Sequence, residues 1–245
     1  GDHRDLHSFP TRRSSDLRDT SLGLNFTGVT YYDGQGFMVP KKLGVKSAKE
    51  LDGATVCIQT GTTTELNLAD FFRANGMSYE PVPIETNAEA QQQYLAGACD
   101  VYTTDASGLA ATRATFADPE NHAILPEIVS KEPLGPLVRH GDNEWGDVVR
   151  WTLNALIASE ELGVTSANIA EMAASPTNNP EINRLLGTEG NLGEMLGVSA
   201  DWAVKAISAG GNYGELFEQN IGESTPIGLA RGLNAKWTEG GLIYT

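Results

Sequence analysis

Between residues 35 and 125 the apolar positions change period repeatedly, from alternating or unbroken short runs to spacings of three and four. QGFMVP at 35–40, ATVCIQ at 54–59, YEPVPI, DVYTT and HAILP have the length and β-branched content of strands, with Pro40 ending the first or placing it at an edge. The intervals 63–75, 87–96 and 106–117 carry helical spacing. Two of them open with a threonine three residues before a glutamate, Thr62 with Glu65 and Thr86 with Glu89, the spacing of a capping box. VKSAKELDG adds a short helical turn, with Ser47 and Glu50 in the same relation. Strands alternating with helices of about ten residues predict a parallel sheet covered on both faces.

After Pro136 the pattern changes. NEWGDVVRWTLNALIASEELG, 143–163, places Trp145, Val148, Val149, Leu153, Leu156 and Ile157 on one helical repeat, with Gly163 as its stop. Shorter helices are expected near 166–174, 179–186, 199–208 and 213–220, with no series of strands beside them. The first 34 residues add little strand material beyond NFTGVTYY. The expected architecture is one whole α/β lobe, 35–137, and a second assembled from 18–34 and 138–245 that is incomplete.

Charge narrows the function. The 245 residues include 32 acidic and 17 basic ones, a net charge of −15, which opposes contact with nucleic acid or anionic lipid. The basic cluster Arg12, Arg13 and Arg18, with Arg4 nearby, suits a solvated end segment. No run of eighteen apolar residues is present to span a membrane as a helix. His3, His7, His122 and His140 and the two cysteines show no metal-ligand spacing, so neither a metal nor a cofactor is expected. Cys57 and Cys99 lie on or beside strands. They are either free core thiols or, if their strands are neighbours, a disulfide.

The chemistry that remains is that of a binder. Thr62, Thr63 and Thr64 open a helix directly after a strand, where unpaired backbone N–H groups and the helix dipole favour an anion such as a carboxylate. Threonine-rich helix starts are also ordinary caps without a ligand. Asp105 follows DVYTT and precedes the helix at Ala106, so it can cap that helix or pair with a cation over the sheet's edge. Arg18 can grip a carboxylate in two-pronged fashion or lie at the surface. Gly187, Gly190, Gly193 and Gly197 follow no apolar strand and precede no GK[ST], which makes them turns. No GxSxG elbow, HExxH helix or Cys-His arrangement nominates a catalytic residue.

Several long blocks in order carry a more specific signal: RDTSLGLNFTGVTYYDGQGFMV, ELDGATVCIQTGTTTELNLADFFRANGM, CDVYTTDASGLAA, LPEIVSKEPLGPLVRHGD, GNYGELFEQNIG and ARGLNAKWTEGGLIY. Over about residues 18 to 244 the chain resembles the periplasmic substrate-binding proteins of bacterial general L-amino acid ABC transporters, within the polar amino acid-binding family. The resemblance implies a type 2 periplasmic binding fold, two lobes each with a mostly parallel sheet flanked by helices. The lobes would be joined by crossing segments near 33–38 and 133–138. It implies that Arg18 clamps the ligand's α-carboxylate, that Thr62, Thr63 and Thr64 donate to it, and that Asp105 holds the α-ammonium. It also implies that Cys57 and Cys99 are paired. The partners it implies are an L-amino acid and an inner-membrane ABC permease, the location the periplasm, with a signal peptide on the precursor.

The resemblance stops at the front. GDHRDLHSFPTRRSSDL, residues 1–17, matches nothing in such proteins and is similar to translated adapter sequence, and a complete relative would begin with about 70 to 80 further residues of lobe one. Lobe one is therefore expected to be incomplete and ligand affinity weak in this chain. Two other functions compete on the same fold: an enzyme such as a dehydratase of a cyclic carboxylic acid, which would need an acid or base of shifted pKa in the cleft, and the ligand-sensing domain of a regulator.

Overall fold

The structure, a computed structural model, describes residues 23–245. Segment 1–17 and Arg18 lie outside the described residues. In chain order the main elements are β1 (Leu24–Phe26), β2 (Tyr31–Asp33), β3 (Gln35–Pro40), β4 (Ala54–Gln59), α1 (Thr63–Ala74), β5 (Tyr79–Ile84), α2 (Asn87–Leu95), β6 (Val101–Asp105), α3 (Ala106–Ala114), β7 (His122–Ile124), β8 (Glu132–Leu134) and β9 (Leu137–Arg139). Helices follow: α4 (Asn143–Glu161), α5 (Ile169–Ala174), α6 (Pro180–Leu186), α7 (Leu192–Met195), α8 (Trp202–Gly210) and α9 (Tyr213–Asn220). The chain is bilobed. Among the described residues one unit comprises 23–32 with 133–225 and 230–245; the other comprises 33–132 with 226–229. Two of the passages between units fall within β2 and β8, the strands of a two-stranded sheet.

The second unit is built on a five-stranded sheet in the order β5-β4-β6-β3-β7. Period-2 alternation divides its side chains between two buried faces. Phe37, Val39, Val56, Ile58 and Val101 pack with Leu68 and Phe72 of α1, while Met38, Cys57 and Tyr102 pack with Ala90 and Tyr94 of α2 and Leu109 of α3. Cys57 and Cys99 are joined by a disulfide, their Cα atoms 5.6 Å apart.

The sheet is mixed rather than parallel, which corrects the expectation from the alternating pattern. β4 runs parallel to β5 and β6, but β3 runs antiparallel to β6 and β7. The crossover rule forces parallel direction only on strands joined through a helix. β3 enters this unit from β2 rather than from such a helix, so its direction is set by where the chain arrives.

In the first unit β1 and β9 form a two-stranded antiparallel ladder, Leu24 opposite Arg139 and Phe26 opposite Leu137. Helices make up most of the rest. Val164, Ile169, Ile182, Leu186 and Ile207 form one cluster, and Leu153, Ile157, Tyr213 and Ile243 a second. The long helix ends at Glu161, with Gly163 just beyond at φ 70°, a left-handed turn that a side chain disfavours. Of its expected apolar stripe, Leu153 and Ile157 are buried, whereas Trp145 is 55 % exposed. Arg231 ties the C-terminal segment to this helix through a two-pronged pair with Glu160, at 2.9 and 3.1 Å, and lies over the rings of Tyr213 and Phe217.

Candidate functional site

The start of α1 sits at the C-terminal end of β4, and the start of α3 at the C-terminal end of β6, the next strand in the sheet. Adjacent strands lie about 4.8 Å apart, so both helix starts open on one edge. Crevices beyond the carboxyl ends of sheet strands are where open α/β sheets hold polar ligands.

At α1, Thr62 Oγ1 accepts the amide of Glu65 at 3.3 Å and donates to the carbonyl of Gln59 at 2.7 Å. Glu65 reaches back one residue further than a capping box requires, to the amide of Gly61 at 2.8 Å. The same offset recurs at α2, where Thr86 caps Glu89 and Glu89 takes the amide of Glu85. These bonds serve the amides of Gly61 and Glu65. The amides of Thr63 and Thr64 lie in the first helical turn, where a helix supplies no acceptor of its own. Thr63 is exposed and Thr62 and Thr64 are half-buried.

Asp105 occupies the N-cap position of α3 but makes no side-chain cap bond. That bond comes from Asp33, which accepts the amide of Ser107 at 3.3 Å and also the Ser107 hydroxyl. Among the described residues no cation pairs with Asp105. Burial pushes its pKa up to about 6, and the neighbouring carboxylates Asp33 and Glu132 push in the same direction. A half-buried carboxylate in a negative field favours a positive charge placed beside it.

Gln35, directly opposite Asp105 on β3, is buried and ties the start of α1 to β6. Its Nε2 donates to the carbonyl of Thr64 at 3.1 Å and to Thr103 Oγ1 at 3.0 Å. The structure thus gathers Thr62, Thr63, Thr64 and Asp105 along one sheet edge, with Cys57–Cys99 within the unit that carries them. Sequence reasoning missed Asp33, Gln35, Ser107 and Glu132. The available signal was the Asp-Gly pair in YYDGQ, a polar interruption between apolar positions. A cavity of about 370 Å³ lined by Asn67, Asp70, Phe71, Glu127, Ile128 and Val129 flanks α1 beyond its first turn and includes none of these groups. Among the described residues no His, Cys, Asp and Glu cluster is placed to hold a metal ion, and no helix is long and apolar enough to cross a membrane.

Comparison with known proteins gives a consistent picture. The chain is 67 % identical over 227 residues to the glutamate/glutamine/aspartate/asparagine-binding protein BztA of Rhodobacter capsulatus, covering 93 % of this chain and 67 % of that one. It is 58 % identical over 229 residues to the general L-amino acid-binding periplasmic protein AapJ of Rhizobium johnstonii, with the same two coverages. A solved periplasmic binding protein of an ABC transporter from Brucella ovis, with glutathione bound, superposes with a TM-score of 0.88 at 56 % identity, covering 94 % of this chain and 72 % of that one. No protein-family model matches the chain.

Proposed function

The chain belongs to the periplasmic substrate-binding proteins of amino-acid ABC transporters, and we propose that it captures L-amino acids by their two charged ends and delivers them to an inner-membrane permease. The observation that carries this reading is the pairing, on one sheet edge, of a helix start with the first-turn amides of Thr63 and Thr64 and a carboxylate, Asp105, that no described residue neutralises. The first pole suits an α-carboxylate and the second an α-ammonium. Arg18 is the proposed second clamp on the carboxylate, on the strength of the sequence block that contains it. Recognition through groups common to all amino acids fits a broad ligand range, and the relatives' names, four acidic and amide amino acids for one and general L-amino acids for the other, agree with that breadth.

The enzyme reading has little to stand on. Asp105 has the raised pKa a general acid would need, but burial is the main cause of that shift and the two neighbouring carboxylates add to it, which favours a bound cation as readily as proton transfer. The finer reading of the fold, that lobe one is incomplete in this chain, is supported by two facts. The chain spans about two thirds of the length of its curated relatives, and the described residues of the first unit contribute only short two-stranded ladders. Binding is therefore best measured on the receptor at the relatives' full length. Titration calorimetry against a panel of L-amino acids, with analogues lacking either the carboxylate or the ammonium, should give micromolar or tighter binding to several intact amino acids and loss of binding with either analogue. Silence across the panel, or turnover of a carboxylic substrate, would reject the receptor reading.

A further inference from the structure

Three consecutive residues at the entry to the second unit brace both helix starts. Asp33 accepts the amide of Gly34 at 2.8 Å and both the amide and the hydroxyl of Ser107. The carbonyl of Gly34 accepts the amide of Ala106 at 2.8 Å. Gln35 holds the carbonyl of Thr64. Gly34 is locked in place: a Cβ there would come within 2.3 Å of Ile128 Cγ2 and 2.6 Å of the Ser130 carbonyl, so only glycine fits beneath the segment between β7 and β8.

Ser107 is the second residue of α3, whose amide an N-cap side chain ordinarily serves. Here the residue in the cap position leaves it, and a carboxylate 74 residues earlier takes it. From this exchange we infer that Asp33 is a positioning residue of the amino-acid site, capping α3 in place of Asp105 so that the Asp105 carboxylate stays unpaired for the ligand's ammonium. The inference rests on the reading of Asp105 as the ammonium holder. It adds an electrostatic consequence. Among the described residues Asp33 and Glu132 are the charged groups whose fields act on Asp105, and both are negative, so they favour any cation that reaches it and disfavour an anion.

The test separates a positioning and tuning role from a merely structural one. In the ligand-free 245-residue chain, carbon-13 NMR would follow the titration of the Asp105 carboxyl in the native protein and in Asp33→Asn and Glu132→Gln. The native midpoint should lie at about 6. Asp33→Asn, which keeps an acceptor for Ser107 but removes the charge, should lower it by about one pH unit; Glu132→Gln should lower it less. In the full-length receptor Asp33→Ala, which removes cap and charge together, should weaken amino-acid binding at pH 7.5 by about tenfold, with partial rescue in Asp33→Asn. A midpoint that does not move in Asp33→Asn, or full affinity in Asp33→Ala, overturns the inference. The parent reading fails differently, if the native receptor binds amino acids and their deaminated analogues equally while Asp105 still titrates as described.

Discussion

Replacing Asp105 with asparagine should make the second unit more stable while weakening its ligand affinity. The carboxyl has a raised pKa, about 6 against an ordinary 3.8, because folding half-buries it beside Asp33 and Glu132. The folded state therefore binds more protons than the unfolded state between these values, so stability falls as pH rises from about 3.8 to 6 and the full penalty is present above 6. Two pH units correspond to about 3 kcal/mol, and partial solvent screening of a half-buried group reduces this to about 1–2 kcal/mol. Asparagine keeps the shape without the charge. All four tryptophans, Trp145, Trp151, Trp202 and Trp237, lie in the first unit, so fluorescence would report the wrong part of the molecule. Amide hydrogen exchange in the β4 and β6 strands, with their buried Val56 and Val101, follows the second unit instead. Asp105→Asn should gain about 1–2 kcal/mol of protection at pH 7.5, falling to under about a quarter of that near pH 4. A destabilised variant, or a difference that is the same at both pH values, would refute the electrostatic argument. The opposition between stability and binding is the usual cost of a site prepared for a ligand charge.

Other consequences can be measured separately. In the full-length receptor amino-acid affinity should be constant above pH 7 and fall as pH drops through 6, by about tenfold at pH 5, because protonated Asp105 cannot pair with an ammonium; calorimetry across this range in the native protein and a flat profile in Asp105→Asn would check it. Reducing Cys57–Cys99, which closes a separation of 42 residues, should destabilise the second unit by about 2–4 kcal/mol, seen as faster exchange in β4 and β6 with little change in tryptophan fluorescence. Arg231→Ala should destabilise the first unit by about 3–5 kcal/mol, because it strands the mostly buried Glu160 carboxylate, and a tryptophan-monitored urea melt would contradict this if the loss were under about 1 kcal/mol.

Much of the second unit was legible because its signals are local. Strand and helix periods, the threonine-glutamate spacings and the position of Asp105 after DVYTT all lie within a few residues of the elements they define. The capping boxes were half legible. The threonine hydroxyls bond as spaced, but the glutamates reach one residue further back, to the amides of Gly61 and Glu85, which the spacing alone does not indicate. β3's direction was not legible, since it depends on where the chain enters the unit. Nor were the roles of Asp33 and Gln35, whose bonds span 74 and 29 residues and exist only once β3 lies beside β6. The expectation that Asp105 could be a simple cap failed for the same reason: a distant side chain had taken the position first.

The central claim is that Asp105 recognises the ammonium of an amino acid. It is tested most directly by a thermodynamic cycle in the full-length receptor, comparing an L-amino acid with its deaminated analogue in native protein and in Asp105→Ala. The native receptor should prefer the intact ligand by about 2–5 kcal/mol, and Asp105→Ala should lose most of this preference. An undiminished preference in the variant would contradict it, because the ammonium would then be held elsewhere.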